Sequence, residues 1–430
     1  MENTKLVSTL FAAIAVLSFN ATAQVNMAFS TVGNPGNPND TNGYGGVSYN
    51  YAIGTYDVTV SQYTSFLNAV AATDTYNLYN TSMGTDLNIA GIARSGDPGS
   101  YSYSVMGTSG SNPITYVSWF DAARFTNWLC NGQPIGLQTA ATTEAGAYTL
   151  SGTMSGGLSI SKNVNAQYWI PSKNEWYKAA YYDPTLGSGS GGYWLYPTQS
   201  NSAPGNSVGS GANMANYYSG VFSVTQNSSY SSTQNYLSPV GAFINSASAY
   251  GTFDQGGDVL QWTDDVVAGS YRVLQGASWA DGSSVLLSSD QNDNDPTFAN
   301  SNIGFRVATV PSPLSQVAQW LLSNGFASNS NLQSSPNNDG VTLLMDYALN
   351  LNPLQNQSAN MPQPVISGSQ MSLTYFAGSP EVTYTVQSST DLQNWSTSGV
   401  TVTGPDANNN CTATIPVTGS NCFLRLQVIH

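Results

Sequence analysis

Tyr250-Gly251-Thr252-Phe253-Asp254-Gln255-Gly256-Gly257-Asp258-Val259-Leu260-Gln261-Trp262 is the stretch from which the rest of this chain is best read. Its paired glycines ask for a turn, and the residues after them read as a strand that carries Trp262 into a core. Upstream, Trp169-Ile170-Pro171-Ser172-Lys173-Asn174-Glu175-Trp176 sets a capping-box serine and glutamate directly behind a proline. That pattern predicts a helix with Trp176, Ala179 and Ala180 facing inward. Ser118 opens another predicted helix, with Ala122, Phe125 and Trp128 or Leu129 on one stripe. A third is expected from Val60 to Val70, capped by Ser61, with Tyr63, Phe66, Leu67 and Val70 on one face. Trp119, Trp128, Trp176 and Trp262 are expected in the core, whereas Gly187 to Gly192 and Asn201 to Gly211 read as surface loops.

At the start, Lys5, the apolar run Leu6 to Phe19 and the small residues Ala21-Thr22-Ala23 read as a secretory signal over residues 1–23, with a mature chain from Gln24. The apolar run is shorter than a membrane span, which needs about 20 residues, and no comparable run follows. About 400 mature residues exceed what one core usually serves. The Val-Pro-Ser-Pro-Leu stretch from Val310 to Leu314 marks the boundary between residues 24–310 and a tail, 311–430. In the tail, helices are expected at Gln316 to Leu322 and Val341 to Leu349. Alternating strands follow from Met371, among them Val382-Thr383-Tyr384-Thr385-Val386.

The chemistry available to the chain is narrow. Its only histidine is the last residue, His430, so no Ser-His-Asp triad, histidine zinc site or three-histidine iron site can be assembled from it. The net charge of −14, with nine Lys plus Arg, offers no basic stripe for nucleic acid. The cysteines are Cys130, Cys411 and Cys422. In an oxidising compartment Cys411 and Cys422, close in sequence, are expected to form a disulfide between two strands and leave Cys130 over.

The order of segments between residues 50 and 310 resembles the formylglycine-generating enzyme, or sulfatase-modifying factor, family. Ile53 to Thr59 is similar to its opening strand, and Asn112-Pro113-Ile114-Thr115-Tyr116-Val117-Ser118-Trp119-Phe120-Asp121-Ala122-Ala123 to its P-V-x-x-V-S-W-x-D-A block. Trp169 to Trp176 resembles R-L-P-T-E-x-E-W, Tyr250 to Trp262 resembles Y-G-L-x-D-M-x-G-N-V-W-E-W, Gly276-Ala277-Ser278-Trp279 resembles G-G-S-W, and Ile303-Gly304-Phe305-Arg306 contains G-F-R. The resemblance implies an α+β, C-type-lectin-like fold with a smaller C-terminal β-rich domain. Such a scaffold hosts catalysts and binders alike, so the site must decide.

In the catalytic members two cysteines bind copper and activate oxygen. The resemblance places them at Asp281 and Leu286, neither of which is a thiolate, so copper and formylglycine formation are not expected here. The family's structural calcium, carried over residue by residue, would fall on Asp254, Gly257, Val259 and Gln261. A Gly-rich turn ending in a strand accounts for the same residues without metal. Gln261 in place of the usual Glu removes a charge.

A second calcium candidate lies in the tail. Ser335-Pro336-Asn337-Asn338-Asp339-Gly340-Val341-Thr342-Leu343-Leu344-Met345-Asp346 has EF-hand-like spacing, with Asn337, Asp339, Val341 and Asp346 as donors and Gly340 at the sharp turn. An N-capped helix docking Leu343, Leu344 and Tyr347 explains the segment equally. The tail as a whole resembles C-terminal modules of exported bacterial proteins, which carry Y-T-V-x-x-S-T-D-L-x-N-W; here that run is Tyr384 to Trp395.

These observations lead to an expectation of an exported, non-catalytic protein, secreted or at the cell surface, with a glycan or protein ligand recognised by aromatic-rich loops. A retained or altered enzyme of the same family, and a self-assembling extracellular layer of identical copies, are the alternatives.

Overall fold

The computed structural model describes residues 25–311, 316–326, 330–417, 419 and 421–430. The expected signal segment, residues 1–23, lies outside them. The chain divides into two compact units, Met1–Pro311 and Ser312–His430.

In the first unit all three helices form, at Val60–Val70, Trp119–Cys130 and Lys173–Tyr181. Each begins with a complete capping box. Ser172 pairs with Glu175, as its spacing predicts, and Ser118 pairs with Asp121. The first helix corrects the expectation for Ser61. Thr59 is the residue in extended conformation; its hydroxyl accepts the Gln62 N–H at 3.3 Å, while Gln62 Oε1 accepts the Thr59 N–H at 2.9 Å. Thr59 is held extended because it also bridges Pro113, so Ser61 falls inside the first turn.

Two small sheets frame these helices. One orders Phe29–Val32, Tyr51–Gly54, Ala308–Thr309 and Tyr168–Trp169, so the last strand of the unit lies between two early ones, with Ala308 opposite both Ile53 and Trp169. The other orders Asn292–Asn294, Tyr271–Gln275, Leu260–Val267 and Ile303–Gly304. Its final pair is parallel and sets Gly304 beside Gln261.

The helices meet through aromatic rings. Phe66 lies 5.3 Å from Phe125 and 5.2 Å from Trp128, and Phe125 lies 5.4 Å from Phe305 of the G-F-R block. Edge-to-face pairs of this kind add about 0.5–1.5 kcal/mol each beyond the area they bury. Trp119, Trp128, Trp176 and Trp262 are all buried. The long connections are tied down by side-chain amides rather than by charge. Asn127, on the second helix, donates to the Thr143 and Tyr148 carbonyls and accepts the Tyr148 N–H.

The second unit has helices Gln316–Ser323 and Leu343–Ala348. The latter starts later than expected because Thr342 is the extended cap residue, its Oγ1 accepting the Met345 N–H at 3.3 Å. One sheet orders Val365–Ser367, Gln370–Phe376, Asn410–Pro416 and Thr401–Thr403; the other pairs Thr383–Ser389 with Phe423–Ile429. Met371, Leu373 and Tyr375 alternate with more exposed residues and share one core with Val386, Ala413, Ile415 and Leu424. No helix among the described residues is long and apolar enough to cross a membrane.

The expected Cys411–Cys422 disulfide is absent, both thiols being free. Cys411 sits opposite Tyr375 near the start of its strand, whereas Cys422 lines a cavity with Ile415 at the far end. Four strand residues span about 13 Å, and a disulfide needs Cα atoms within about 7 Å.

Thr59→Ala is expected to lower the stability of the first unit by about 1 kcal/mol, and Ser61→Ala by less than about 0.5 kcal/mol. Urea unfolding followed by tryptophan fluorescence measures both. The reverse order would remove Thr59 from its role as the cap.

Candidate functional site

The two positions that would hold the family's thiolates have become structural. Asp281 Oδ2 accepts both the N–H and the hydroxyl of Ser278, at 2.8 and 2.7 Å, closing the turn after Trp279. Leu286 is fully buried against Tyr196, Ala215, Tyr217 and Ala277. A carboxylate already engaged in its own turn and a hydrocarbon do not fit copper, which needs soft sulfur donors here. Cys130 stands elsewhere, at the end of the Trp119–Cys130 helix. Its sulfur meets the Tyr168 N–H and carbonyl at 3.3 Å, and burial pushes its thiol up, away from reactivity.

Of the residues carried over for structural calcium, Gln261 bonds Arg306, and Asp254 lies close enough to feel its charge. Arg306 is wholly buried; its Nε donates to Gln261 Oε1 at 2.7 Å, Nη1 to the Gly54 carbonyl at 2.7 Å, and Nη2 to the Phe253 carbonyl at 2.8 Å and Asp57 Oδ1 at 3.4 Å. Gln261 Oε1 accepts a second bond from the Trp176 indole at 2.6 Å, and its amide nitrogen donates to the Asp254 carbonyl. Asp254 Oδ2 takes the Gly241 N–H at 2.6 Å, and the Gly257 carbonyl takes the Val259 N–H at 2.8 Å. Gly257, at φ +94°, passes so close to the Asn216 carbonyl that a Cβ would lie 2.3 Å from it. Asp254 Oδ2, the Gly257 carbonyl and Gln261 Oε1 are therefore engaged, and a guanidinium supplies positive charge beside Gln261. Gln261, its side-chain oxygen held by both Arg306 and Trp176, does not fit as a calcium ligand in this arrangement. Burial pushes Asp254 up to about 6 and Asp57 up to about 8, with Arg306 opposing both shifts.

A different concavity went unread in the sequence. A cavity of about 240 Å³ is lined by Tyr76, Asn77, Asn80, Phe120, Asp121 and Arg124. Arg124 and Asp121 project from the same helix, one turn apart. The Arg124 guanidinium is buried; Nε and Nη2 grip Glu144 at 2.7 and 3.0 Å, and Nη2 also reaches the Thr153 carbonyl. Its Nη1 has no hydrogen-bond partner among the described residues, and the Tyr76 ring lies 4.3 Å from the guanidinium carbon. Asp121 Oδ2 accepts the Ser118 N–H at 2.8 Å and the Ser118 hydroxyl at 2.6 Å. Burial pushes Asp121 up to about 7, against those bonds. Tyr116, on the same rim, holds a left-handed φ of 56° and donates its hydroxyl to Asp86 at 2.7 Å. Such backbone strain in a bulky residue concentrates at binding sites. Only the Asp121/Arg124 spacing was available in sequence; Glu144 and Tyr76 reach the site through the fold.

In the second unit Asn337, Asp339 and Val341 share one loop, and Asp346 follows on the helix Leu343–Ala348.

The sulfatase-modifying factor enzyme 1-like domain profile matches residues 45–310. Among solved structures, CarF is 21% identical, aligned over 67% of this chain and 99% of its own, at a TM-score of 0.39. Variable protein 1 of Treponema denticola is 19% identical over 67% and 97%, at 0.40. PvdO from Pseudomonas aeruginosa is 17% identical over 66% and 92%, at 0.35. No protein of curated function matches the chain. With more than half of the sequence inside the matched domain, the chain belongs to the sulfatase-modifying factor enzyme 1-like (FGE-sulfatase) family.

Proposed function

We propose that this chain is an exported, non-catalytic binding protein of the family, acting outside the cytoplasm on a hydroxyl-rich ligand such as a cell-surface glycan. The observation that carries this reading is Leu286, buried among aromatic and aliphatic side chains where the catalytic members need a thiolate. Without a sulfur pair at Asp281 and Leu286, oxygen activation on copper has no ligands.

The cavity at Arg124 supports the binding half of the reading. Arg124 is already neutralised by Glu144, so a second anion gains little there and a neutral, polar ligand is favoured. Tyr76, half-buried, offers ring surface to the apolar side of a sugar ring, and Asn77 and Asn80 offer amides to its hydroxyls. A glycan array, together with a pull-down from a bacterial cell envelope, should show saturable binding. Tyr76→Ala and Asn80→Ala should each weaken it about three- to tenfold. Silence in both assays would sink the reading. Incubation with a Cys-x-Pro-x-Arg peptide, copper and oxygen should leave the peptide mass unchanged; a mass loss at the cysteine would replace the reading with catalysis.

Asp121 adds a pH dependence. Its folded carboxyl keeps a proton up to about 7, whereas the unfolded one releases it near the ordinary value of 3.8. The folded state binds more protons in between, so the contribution to stability is full below about 4 and is lost as pH rises towards 7. Asp57 and Asp254 carry the same sign. Thermal unfolding should give a midpoint a few °C higher at pH 5 than at pH 8, on the order of 2–4 °C per kcal/mol. Asp121→Asn should shrink that difference. A midpoint that rises with pH over this range would show that burial does not govern these carboxyls.

A further inference from the structure

The tail loop that sequence alone left undecided between a metal site and a capped helix carries features that a capped helix does not need. Asn338 and Gly340 both take left-handed backbone, at φ 53° and 81°, folding Ser335 to Val341 into a tight loop. Asp339 is held there on both oxygens. Oδ1 accepts from the Ser335 hydroxyl at 3.0 Å and the Val341 N–H at 2.9 Å, and Oδ2 accepts from the Gln357 N–H at 2.6 Å. The Asn337 amide nitrogen donates to the carbonyls of Pro353 and Gln355, both at 2.8 Å. Both amide hydrogens are spent on that segment, and the side-chain oxygen remains an acceptor. The loop then runs straight into Thr342 and the helix that carries Asp346.

Asp346 is the independent observation. It is 1% exposed, and its Oδ1 has no hydrogen-bond partner among the described residues. A buried carboxylate oxygen is ordinarily paired, hydrogen-bonded or coordinated to a metal, because leaving it bare is costly. It lies near enough to Asp339 to feel that group's negative charge. A buried carboxylate oxygen left bare close to a second carboxylate is stabilised by a cation nearby. Ser335, Asn337, Asp339, Val341 and Asp346 occupy the first, third, fifth, seventh and twelfth places of the loop, with Gly340 at the sixth, the spacing by which such loops gather oxygens around one ion.

We propose that Ser335–Asp346 binds one calcium ion through the side-chain oxygens of Asn337, Asp339 and Asp346 and the carbonyl of Val341, with Asp346 as the ligand from the helix. All four donors are hard oxygens, which suits calcium over softer metals. No three acidic, His or Cys side chains converge among the described residues, so only two charges face the ion. Affinity should therefore lie in the weak range of extracellular modules, Kd about 10⁻⁴ to 10⁻³ M. This site is independent of the ligand cavity in the first unit.

The test uses residues 24–430, titrated with calcium chloride by calorimetry and by thermal unfolding. The expected result is one saturable site, and a rise of roughly 5 °C in the second unit's transition at ten times Kd. Magnesium at equal concentration should give a much smaller shift, because it demands a stricter octahedron. Asp346→Asn should lose about tenfold or more in calcium affinity. In the absence of calcium the same variant should unfold at or above the wild-type temperature, since it removes a bare carboxylate, and this separates a lost ligand from a damaged fold. Absence of saturable binding up to about 10 mM, beyond the weak end of the range, would overturn the proposal. Unchanged affinity in Asp346→Asn would do the same.

Discussion

A guanidinium that has left water entirely must find an acceptor in every direction it points, and in the first unit that requirement falls on Arg306. Its acceptors come from the Tyr51–Gly54 strand, from Asp57 ahead of the first helix, from Phe253 and from Gln261. Burying a charge costs several kcal/mol unless it is fully bonded, so these four segments are bound to one relative placement. Hydrogen bonds to a charged donor are about twice as strong as neutral ones. Gln261 serves this centre in both directions, its oxygen taking Arg306 and Trp176 while its nitrogen holds the Asp254 carbonyl. A carboxylate at the same place could accept but not donate. The amide at position 261 does both.

The same economy runs through the rest of the unit. With charged residues at 7% of the chain, the long loops are fastened by amides that bond backbone at both ends. Asn88 donates to the Ser231 and Gln234 carbonyls, and Asn216 to the Tyr236 carbonyl and to Asp258. Each such bond contributes about 1 kcal/mol net, and together they hold irregular segments that no sheet could order. Burial also explains why so many carboxyls here resist ionisation. Asp258 lies wholly inside, its pKa driven well above the usual range by desolvation and by the neighbouring Asp254, with Ser238 opposing.

Local signals in the sequence were legible where one element carried all the information. Ser172 with Glu175 announced its helix because a capping box is complete within one turn, and Ser118 marked the start of another. The four motif tryptophans were legible as core for the same reason. Thr59 was not, because Ser61 is an equally good cap by composition, and only the bridge to Pro113 decides between them. Cys411 and Cys422 were misread because separation along the chain says nothing about which ends of a strand two thiols occupy. The cavity at Arg124 needed Tyr76 and Glu144, which the chain delivers from either side of the helix, so no periodicity could have shown it. In the tail the loop spacing was visible, but the bare Oδ1 of Asp346 is a property of packing alone.

Leucine at position 286 has a consequence beyond the loss of a ligand. A thiolate pocket must stay polar and open to substrate, whereas a leucine side chain gains about 1.5–3 kcal/mol when covered completely. Its cover here is Tyr196, Ala215 and Tyr217, all from the long connection that precedes the Asp254–Gln261 segment. Tyr217 in turn donates its hydroxyl to the Pro204 carbonyl, and Asn206 donates to the carbonyls of Tyr217 and Val221. The loop is therefore folded down onto Leu286. Under the proposed reading, closing the ancestral pocket and ordering this loop are one event, because the same apolar contact does both. A scaffold whose connections are fixed in this way can present the Tyr76–Arg124 cavity with little ordering cost on binding, which is the condition under which a small polar site holds a ligand at all.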